Sequence, residues 1–381
     1  LIPIPNRDGL AVEDITIADA LKAAGYATGH FGKWHLYDKG GADSPGGGGA
    51  LPSQQGFDVT YDSFGNGEHP EGAKGNLKGP SDDAKGVYTL SRKACEFMEA
   101  NQDKPFFVYL AHHAPHGPLQ ARESTRKMIT DTYKACIYDL DDSVGHVLKK
   151  IKDLGLEKDT LVIYTSDNGS HAKSQEPLRG KKGCYYEGGI REPMIAYWPG
   201  VIEAGSVSSV PVMQIDYFPT FLDMAGAKTS KTLDGESLMP LFKQSGKLKR
   251  DSLFWHMPGY LDKGVPRGRD KTFRTRPVTV MRKGPWKLHL YLEEWVLDGG
   301  KSSVLSNNSV ELYNLEDDRG EHKNIAAQNP ELLDQLLTEL LDWHGRVEAP
   351  IPTEKNPAYG GASNEKKGKK DKKSKKKKAD K

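Results

Sequence analysis

Short apolar runs alternate with helical patterns along the first 200 residues, and this alternation restricts the possible folds more than any other feature. Three runs have the length of a strand and are almost continuously apolar: Pro105–Leu110, Thr160–Thr165 and Met194–Trp198. They lack the period-two polarity of a strand with one solvated face, so we expect both faces to be buried. Helices between such strands are typical of a parallel sheet that is covered on both sides. We therefore predict an α/β fold with a doubly wound, mostly parallel sheet.

Sequence signals for helix ends identify further elements before and between these runs. Thr16 is a candidate N-cap with Asp19 three residues later, and Gly25 terminates the helix that they begin. Tyr26–Phe31 then predicts a short strand. A long helix that ends at Gly155 is predicted from apolar residues at helical spacing, namely Tyr133, Ile137, Leu140, Val144, Val147, Ile151 and Leu154.

Residues 40–87 are rich in Gly, Pro, Asp and Ser, and a helix is predicted to follow over residues 87–100. Such a composition favours loops. Long loops inside a compact domain usually serve a site. We therefore interpret residues 40–87 as loops near a functional site.

The pattern changes near residue 246, where short strands separated by turns replace the earlier alternation. The predicted elements are the strands Val278–Met281, Trp286–Tyr291 and Val310–Tyr313, and the helix Pro330–His344. Four leucines lie on one face of that helix. We predict a first α/β domain over residues 1–245 and a small C-terminal α+β subdomain over residues 246–350.

The C-terminal residues 351–381 are predicted to form a disordered, lysine-rich tail. Residues 364–381 contain eleven lysines and three acidic residues, so the rest of the chain carries a net charge of about −6. A run of like charges with little apolar surface cannot form a core. A mildly acidic body is not expected to bind nucleic acid, since phosphate contacts need a basic face.

Three further observations concern membrane spans, export and the chemistry of the cysteines. No apolar run reaches the roughly 18–20 residues of a membrane span, and no signal peptide is recognised after Leu1. Cys95, Cys136 and Cys184 form no C-x-x-C pair, so neither a disulfide framework nor a zinc site is predicted. We expect Cys136 to be buried on its helix, and nothing in the sequence fixes an oligomeric state.

Polar clusters follow three of the predicted strands. They are Lys33 with His35, His113 with His116, and Asp167 with Asn168. In open α/β sheets, ligands bind outside the carboxyl ends of the strands. The three clusters together therefore predict one site.

The residue types in these clusters suggest an anionic ligand and a hard metal ion. Lysine ammonium groups suit sulfate or phosphate oxygens, and histidine can act as a general acid. Asp167 and Asn168 offer oxygen ligands for Ca²⁺ or Mg²⁺, although Asp-Asn-Gly is also good turn chemistry. Lys182 is one lysine among many, but it lies in a glycine-rich loop, Leu178–Arg191, whose backbone we expect to approach a ligand.

At these residues the chain resembles the type I sulfatases of the alkaline phosphatase superfamily. The resemblance covers roughly residues 10–345 and is carried by five segments in the family's order: Ala24–Leu36, Pro105–His116, Thr160–Gly169, Leu178–Pro199 and Glu311–Glu321. It implies a sulfuric ester hydrolase that acts on a sulfated small molecule or polysaccharide. It also implies export to the periplasm or the extracellular space.

The resemblance also implies roles for individual residues. Lys33 and Lys182 would bind sulfate oxygens, His35 would assist release of the sulfated intermediate, and His116 would protonate the leaving alcohol. Asp167 and Asn168 would be ligands of Ca²⁺. His112 and His113 are interpreted as structural or peripheral.

The family's formylglycine motif, C/S-x-P-S-R, does not occur in residues 1–381, and no Asp-Asp pair precedes the segment Gly32–His35. In the family both precede the segment that matches Gly32–His35. We therefore expect formylglycine and two further aspartate ligands upstream of Leu1, in a longer parent protein, and we expect the chain as given to be inactive alone.

Two other functions remain open, and the sequence does not identify the substrate. One is a phosphomonoesterase or phosphonate hydrolase of the same superfamily, and the other is a non-catalytic binder of sulfated polysaccharide. His256, which follows Phe254 and Trp255, is predicted to bind substrate at a pocket edge. A core histidine with satisfied hydrogen bonds is the alternative for this position.

We expect Lys366–Lys381 to be dispensable for folding, because the largest apolar side chain in this segment is that of Ala379. Deleting the segment should leave the midpoint of thermal unfolding unchanged, as measured by circular dichroism. A clear fall in the midpoint would mean that the tail binds the acidic body.

Overall fold

The structure is a computed structural model that describes residues 1–4, 9–36, 50–62 and 82–357. The predicted tail from residue 358 onward, the glycine run at residues 46–49 and most of the predicted loop over residues 40–87 lie outside these ranges. Residues 351–357, also predicted to be disordered, are described, and Ile351 packs against the buried cluster that includes Leu333 and Leu337. The chain forms two compact units. The α/β unit comprises Asn6–Glu176 and Gly188–Asp251, and the C-terminal unit comprises Leu1–Pro5, Pro177–Glu187 and Ser252–Lys381. The predicted division at residue 245 stays a prediction.

A parallel three-stranded sheet organises the α/β unit. Its strands are β1 (Ala27–Gly32), β2 (Val59–Asp62) and β3 (Phe106–Ala111), in the order β2-β1-β3. All six residues of the central strand β1 are buried. In β3, one of the runs expected to be buried on both faces, Tyr109 is 45% exposed. β2 was missed, because its four residues lie in a segment whose composition indicated loops.

Helices cover this sheet where helical periodicity predicted them. The capping box of Thr16 and Asp19 begins α1 (Ile17–Ala23). α2 (Val87–Ala100) packs Leu90, Ala94 and Phe97 against Phe31 of β1. The remaining helices of the unit are α3 (Glu123–Met128), α4 (Thr132–Asp153), α5 (Glu187–Ile190, which begins on the last residue of the other unit), α6 (Tyr217–Ala225) and α7 (Met239–Phe242).

The buried face of α4 differs from the predicted one. Cys136 is buried as expected, but Ile137 is 37% exposed, whereas Asp139 is buried. The Asp139 carboxylate accepts hydrogen bonds from Arg122 Nε at 3.0 Å and Thr125 Oγ1 at 2.6 Å. These bonds offset the cost of burying the charge, so the Asp139 carboxylate can lie on the buried face of the helix.

The last two strands of the unit are β4 (Val162–Thr165) and β5 (Met194–Tyr197). They pair antiparallel with each other, and with no other strand in the described ranges. They are thus an antiparallel part of the fold that was predicted as mostly parallel. Parallel neighbours need a long crossover, usually a helix, and residues 166–193 contain only the four-residue α5.

The C-terminal unit contains the predicted antiparallel sheet with a helix packed on it. Its elements are β6 (Ser252–Met257), β7 (Leu261–Asp262), β8 (Phe273–Thr275), β9 (Val278–Lys283), β10 (Trp286–Tyr291), α8 (Leu292–Leu297), β11 (Val310–Asn314) and α9 (Pro330–Arg346). The sheet has the order β11-β10-β9-β6. α9 packs its four predicted leucines into the same core as this sheet.

A buried charge cluster lies within this unit. The Lys287 ammonium is fully buried and lies 2.9 Å from both Glu187 Oε1 and Glu321 Oε1. Glu321 also accepts the backbone N–H of Glu187 at 2.6 Å. Burial by itself would raise the pKa of Glu321, but the Lys287 charge and a hydrogen bond with His289 lower it to about 2. The cluster fixes the segment Pro177–Glu187 in the C-terminal unit.

We expect Lys287→Met to lower the free energy of unfolding by about 3–5 kcal/mol, because it leaves two buried carboxylates without their main counter-charge. Lys283→Met is the matched control on the neighbouring strand. Its ion pair with Glu339 is 2.7 Å long but about one third exposed, so its loss should cost about 1 kcal/mol or less. Urea unfolding measures both, and equal losses would contradict the assigned importance of the buried cluster.

Candidate functional site

The ends of β1 and β3 come together at Gly32. Its φ of +121° lies in a region that favours glycine, and a Cβ there would lie 2.0 Å from the carbonyl oxygen of Ala111. The next residue, Lys33, donates its backbone N–H to the same oxygen at 2.8 Å. Residues that leave β1 are therefore held beside the segment that leaves β3.

Trp34 fixes the segment that carries the two predicted β1-end residues. Its ring is buried, and Nε1 donates to the carbonyl oxygen of Ala50 at 2.8 Å. His30 lies edge-on to this ring with centroids 5.3 Å apart. On either side of this anchor, Lys33 is half-buried and His35 is exposed with a φ of +51°.

His113 and His116 form a tight turn after β3. The backbone N–H of His116 donates to the carbonyl of His113 at 2.9 Å, and the two ring centroids are 5.3 Å apart. Nδ1 of His116 lies 2.8 Å from the carbonyl oxygen of Gly117. A carbonyl can only accept, so Nδ1 carries a proton and Nε2 is left to exchange a proton with a ligand.

Positive charge is concentrated around this turn. Burial lowers the pKa of His113 to about 4, and the neighbouring charges of Lys85, His116, Lys33 and His35 lower it in the same direction. The structure thus brings together the predicted residues Lys33, His35 and His116. His113, which was interpreted as structural or peripheral, lies among them as a neutral histidine at pH 7, and Lys85 lies there as well.

Lys85 was not predicted from the sequence, since it lies in a segment interpreted as loop. Its side chain is buried, and its ammonium donates to the carbonyl oxygen of His116. No spacing or composition signal distinguishes it from the other lysines of the chain.

Asp167 and Asn168 follow β4, as predicted. The next residue is held against the α5 segment: Gly169 donates to the carbonyl of Gly189 at 3.0 Å, and a Cβ at Gly169 would lie 2.0 Å from the Gly188 oxygen. The pKa of Tyr109 on β3 is raised by burial and also by the negative charge of Asp167. Asp167 is therefore near the strand that leads to His113.

Glu192 is a second carboxylate beside Asp167. Burial, followed by the Asp167 charge, raises the pKa of Glu192 to about 7. The oxygen donors of Asp167, Asn168 and Glu192 are of the type that Ca²⁺ prefers. Across the described ranges, however, no three His, Cys, Asp or Glu side chains are grouped closely enough to hold a metal ion.

Lys182 belongs to the C-terminal unit, whereas the other predicted catalytic residues belong to the α/β unit. Its neighbour Gly183 has a φ of +84° and packs on Arg274, whose Cδ would lie 2.4 Å from a Cβ at this glycine. The close approach that the glycine-rich loop predicted is thus made to Arg274. The sulfate-binding role of Lys182 stays a prediction.

His256 lies on β6 in the C-terminal unit, with both ring nitrogens in hydrogen bonds. Nδ1 lies 2.8 Å from Thr279 Oγ1, and Nε2 lies 2.9 Å from the carbonyl oxygen of Pro350. Burial lowers the pKa of His256. This geometry favours the structural alternative, and the substrate-binding role stays a prediction.

None of the helices in the described ranges has the length and hydropathy that spanning a bilayer requires.

Two family models match this chain. The sulfatase model matches residues 3–227, and the model of the C-terminal region of N-sulphoglucosamine sulphohydrolase matches residues 180–282. Human arylsulfatase A is 33% identical, over 92% of this chain and 75% of its own length. Mouse N-acetylgalactosamine-6-sulfatase is 30% identical, over 66% of this chain and 52% of its own length.

A solved structure shares the fold. Ps i-CgsB in complex with k-i-k-neocarrahexaose is 26% identical with a TM-score of 0.69, and the match covers 95% of this chain and 79% of that one. The predicted α/β fold of the alkaline phosphatase type is thus confirmed. The matched models and the relatives agree: the chain belongs to the sulfatase family of sulfuric ester hydrolases.

Proposed function

We propose that this chain forms the sulfate-binding and acid-catalytic part of a sulfatase that releases sulfate from a sulfated carbohydrate. The observation that carries the proposal is the cationic turn, in which Lys33, His35 and His116 surround the neutral His113. A sulfate ester carries one negative charge over three oxygens, and such a group is stabilised by several fixed donors and positive charges.

His116 is proposed as the general acid. Hydrolysis leaves negative charge on the departing alkoxide oxygen, and a proton donated in the transition state removes it. The Nδ1 bond to the Gly117 carbonyl fixes the ring orientation, so that Nε2 is the atom that transfers the proton. Donation requires the imidazolium form, which the charge of the bound sulfate favours.

Lys33 and Lys182 are proposed to bind sulfate oxygens, and His35 to assist release of the sulfated intermediate. Asp167 and Asn168 are proposed to hold Ca²⁺, which would supply positive charge for the sulfate oxygens. The proposal includes a formylglycine nucleophile, as the family resemblance implies. Support for the metal site is the oxygen-donor chemistry at the end of β4, next to the carboxylate of Glu192.

The proposed substrate class rests on two similar proteins. The mouse relative is named for its action on N-acetylgalactosamine-6-sulfate, and Ps i-CgsB was solved with a neocarrahexaose. Export is likewise proposed from the family resemblance. His256 is a weaker part of the substrate proposal, because its ring nitrogens already have partners.

We expect His116→Ala to lower kcat by about 10²–10⁴-fold on alkyl or sugar sulfates, in the full-length protein that contains this chain. The loss should shrink for 4-nitrophenyl sulfate, whose phenol leaves without much protonation. Steady-state kinetics across a series of leaving groups measures this dependence. An equal loss for good and poor leaving groups would remove His116 from the acid role.

His146→Ala is the matched control, since this histidine is exposed on α4 in the same unit. It should leave kcat unchanged for every substrate. Comparing 4-nitrophenyl sulfate with 4-nitrophenyl phosphate tests the reaction itself. A higher kcat/KM for the phosphate would replace the proposed sulfatase activity with a phosphatase activity.

A further inference from the structure

Lys85 is a buried cation in positively charged surroundings. The residue is only 6% exposed, and its ammonium donates to the carbonyl oxygen of His116. In the part of the chain that the structure describes, no carboxylate lies at ion-pair distance from it. The acidic residue nearest in sequence, Asp83, caps the start of α2, with its oxygens 2.8 Å from Tyr88 N and 2.6 Å from Thr89 Oγ1.

The other groups around Lys85 do not neutralise it. Lys33 lies close enough for its charge to lower the pKa of Lys85, in the same direction as burial. The one group that acts in the opposite direction is the thiol of Cys136, whose own pKa is raised by burial. Cys136 is therefore uncharged at pH 7, and His113 is neutral as well.

Without a bound anion, the buried ammonium of Lys85 destabilises the folded protein. A buried charge needs a counter-charge and hydrogen bonds, and a carbonyl supplies only one of the three bonds that an ammonium can donate. Buried cations elsewhere in this chain show the usual solution, since Lys287 contacts two carboxylates. An anion bound beside Lys33 would supply the missing negative charge to Lys85 as well.

We propose that Lys85 is an additional cation of the sulfate site, which strengthens anion binding beside Lys33 and holds the His113–His116 turn through the His116 carbonyl. This inference rests on the proposed function, because it assigns Lys85 to the same site. Its charge and the two N–H donors that have no partner among the described residues act on the bound sulfate group. Lys85 is thus a binding and positioning residue, and it transfers no proton in the reaction.

The test measures the binding of inorganic sulfate to the full-length protein by isothermal titration calorimetry, with chloride keeping the ionic strength constant. Lys85→Met should weaken sulfate binding by about 10-fold or more, the usual effect of losing a charged hydrogen-bond donor. Lys85→Arg retains the charge and should stay within about 3-fold of the wild type. Lys104→Met removes an exposed lysine that precedes β3, and it should have no effect.

Two further measurements separate a binding role from a purely structural one. Without sulfate, Lys85→Met should have a thermal midpoint equal to or above that of the wild type, because it removes an uncompensated buried charge. The pKa of His113, followed by NMR, should rise in Lys85→Met, since a neighbouring positive charge is lost. A lower midpoint or an unchanged His113 pKa would overturn the assignment.

Failure of this inference is distinguishable from failure of the proposed function. If the wild type binds sulfate and hydrolyses sulfate esters while Lys85→Met binds sulfate as tightly as Lys104→Met, only the role of Lys85 is overturned. If the wild type neither binds sulfate nor hydrolyses its esters, both proposals are overturned.

Discussion

The close contact between the ends of β1 and β3 is the constraint on which the α/β unit's site depends. Gly32 leaves no room for a side chain beside the Ala111 oxygen, and Lys33 donates its N–H to that oxygen. The paired residues of β1 and β3 are 79 positions apart in the sequence, from Ala27 with Phe106 to Gly32 with Ala111, and the two strands therefore end in register. Lys33 and the turn of His113 and His116 are neighbours for this reason. A bulkier residue at position 32 would separate them and disperse the positive charge.

The two units differ in whether their buried lysine has a carboxylate partner among the described residues. In the C-terminal unit, Lys287 is paired with Glu187 and Glu321, so the cluster is neutralised from within the unit. In the α/β unit, Lys85 lies beside Lys33 and two histidines and has no described carboxylate partner. The first arrangement stabilises a fold. In the second, the proposed anion would supply the missing negative charge, and such a loss of stability is common at binding sites.

Much of this could be predicted from the sequence. The apolar runs gave β3, β4 and β5, and the capping pair of Thr16 and Asp19 gave the start of α1. The sequence did not predict which segments pair or which side chains satisfy a buried charge. β4 and β5 pair antiparallel because no long helix connects them, and α4 buries Asp139 because Arg122 and Thr125 satisfy it. Neither fact is visible in the periodicity of a single segment.

The residues of the candidate site likewise fall into those that the sequence predicted and those that only the structure revealed. Lys33, His35, His116, Asp167 and Asn168 were recognisable because each follows a strand or matches a family segment, and both are properties of local sequence. Lys85 and the neutral state of His113 were decided only by the tertiary structure. Burial and the distances between charges set a pKa and the cost of an unpaired ammonium, and these distances join residues far apart in the chain. The sequence by itself determined which chemical groups reach the edge of the sheet, and folding determined which of them are charged there.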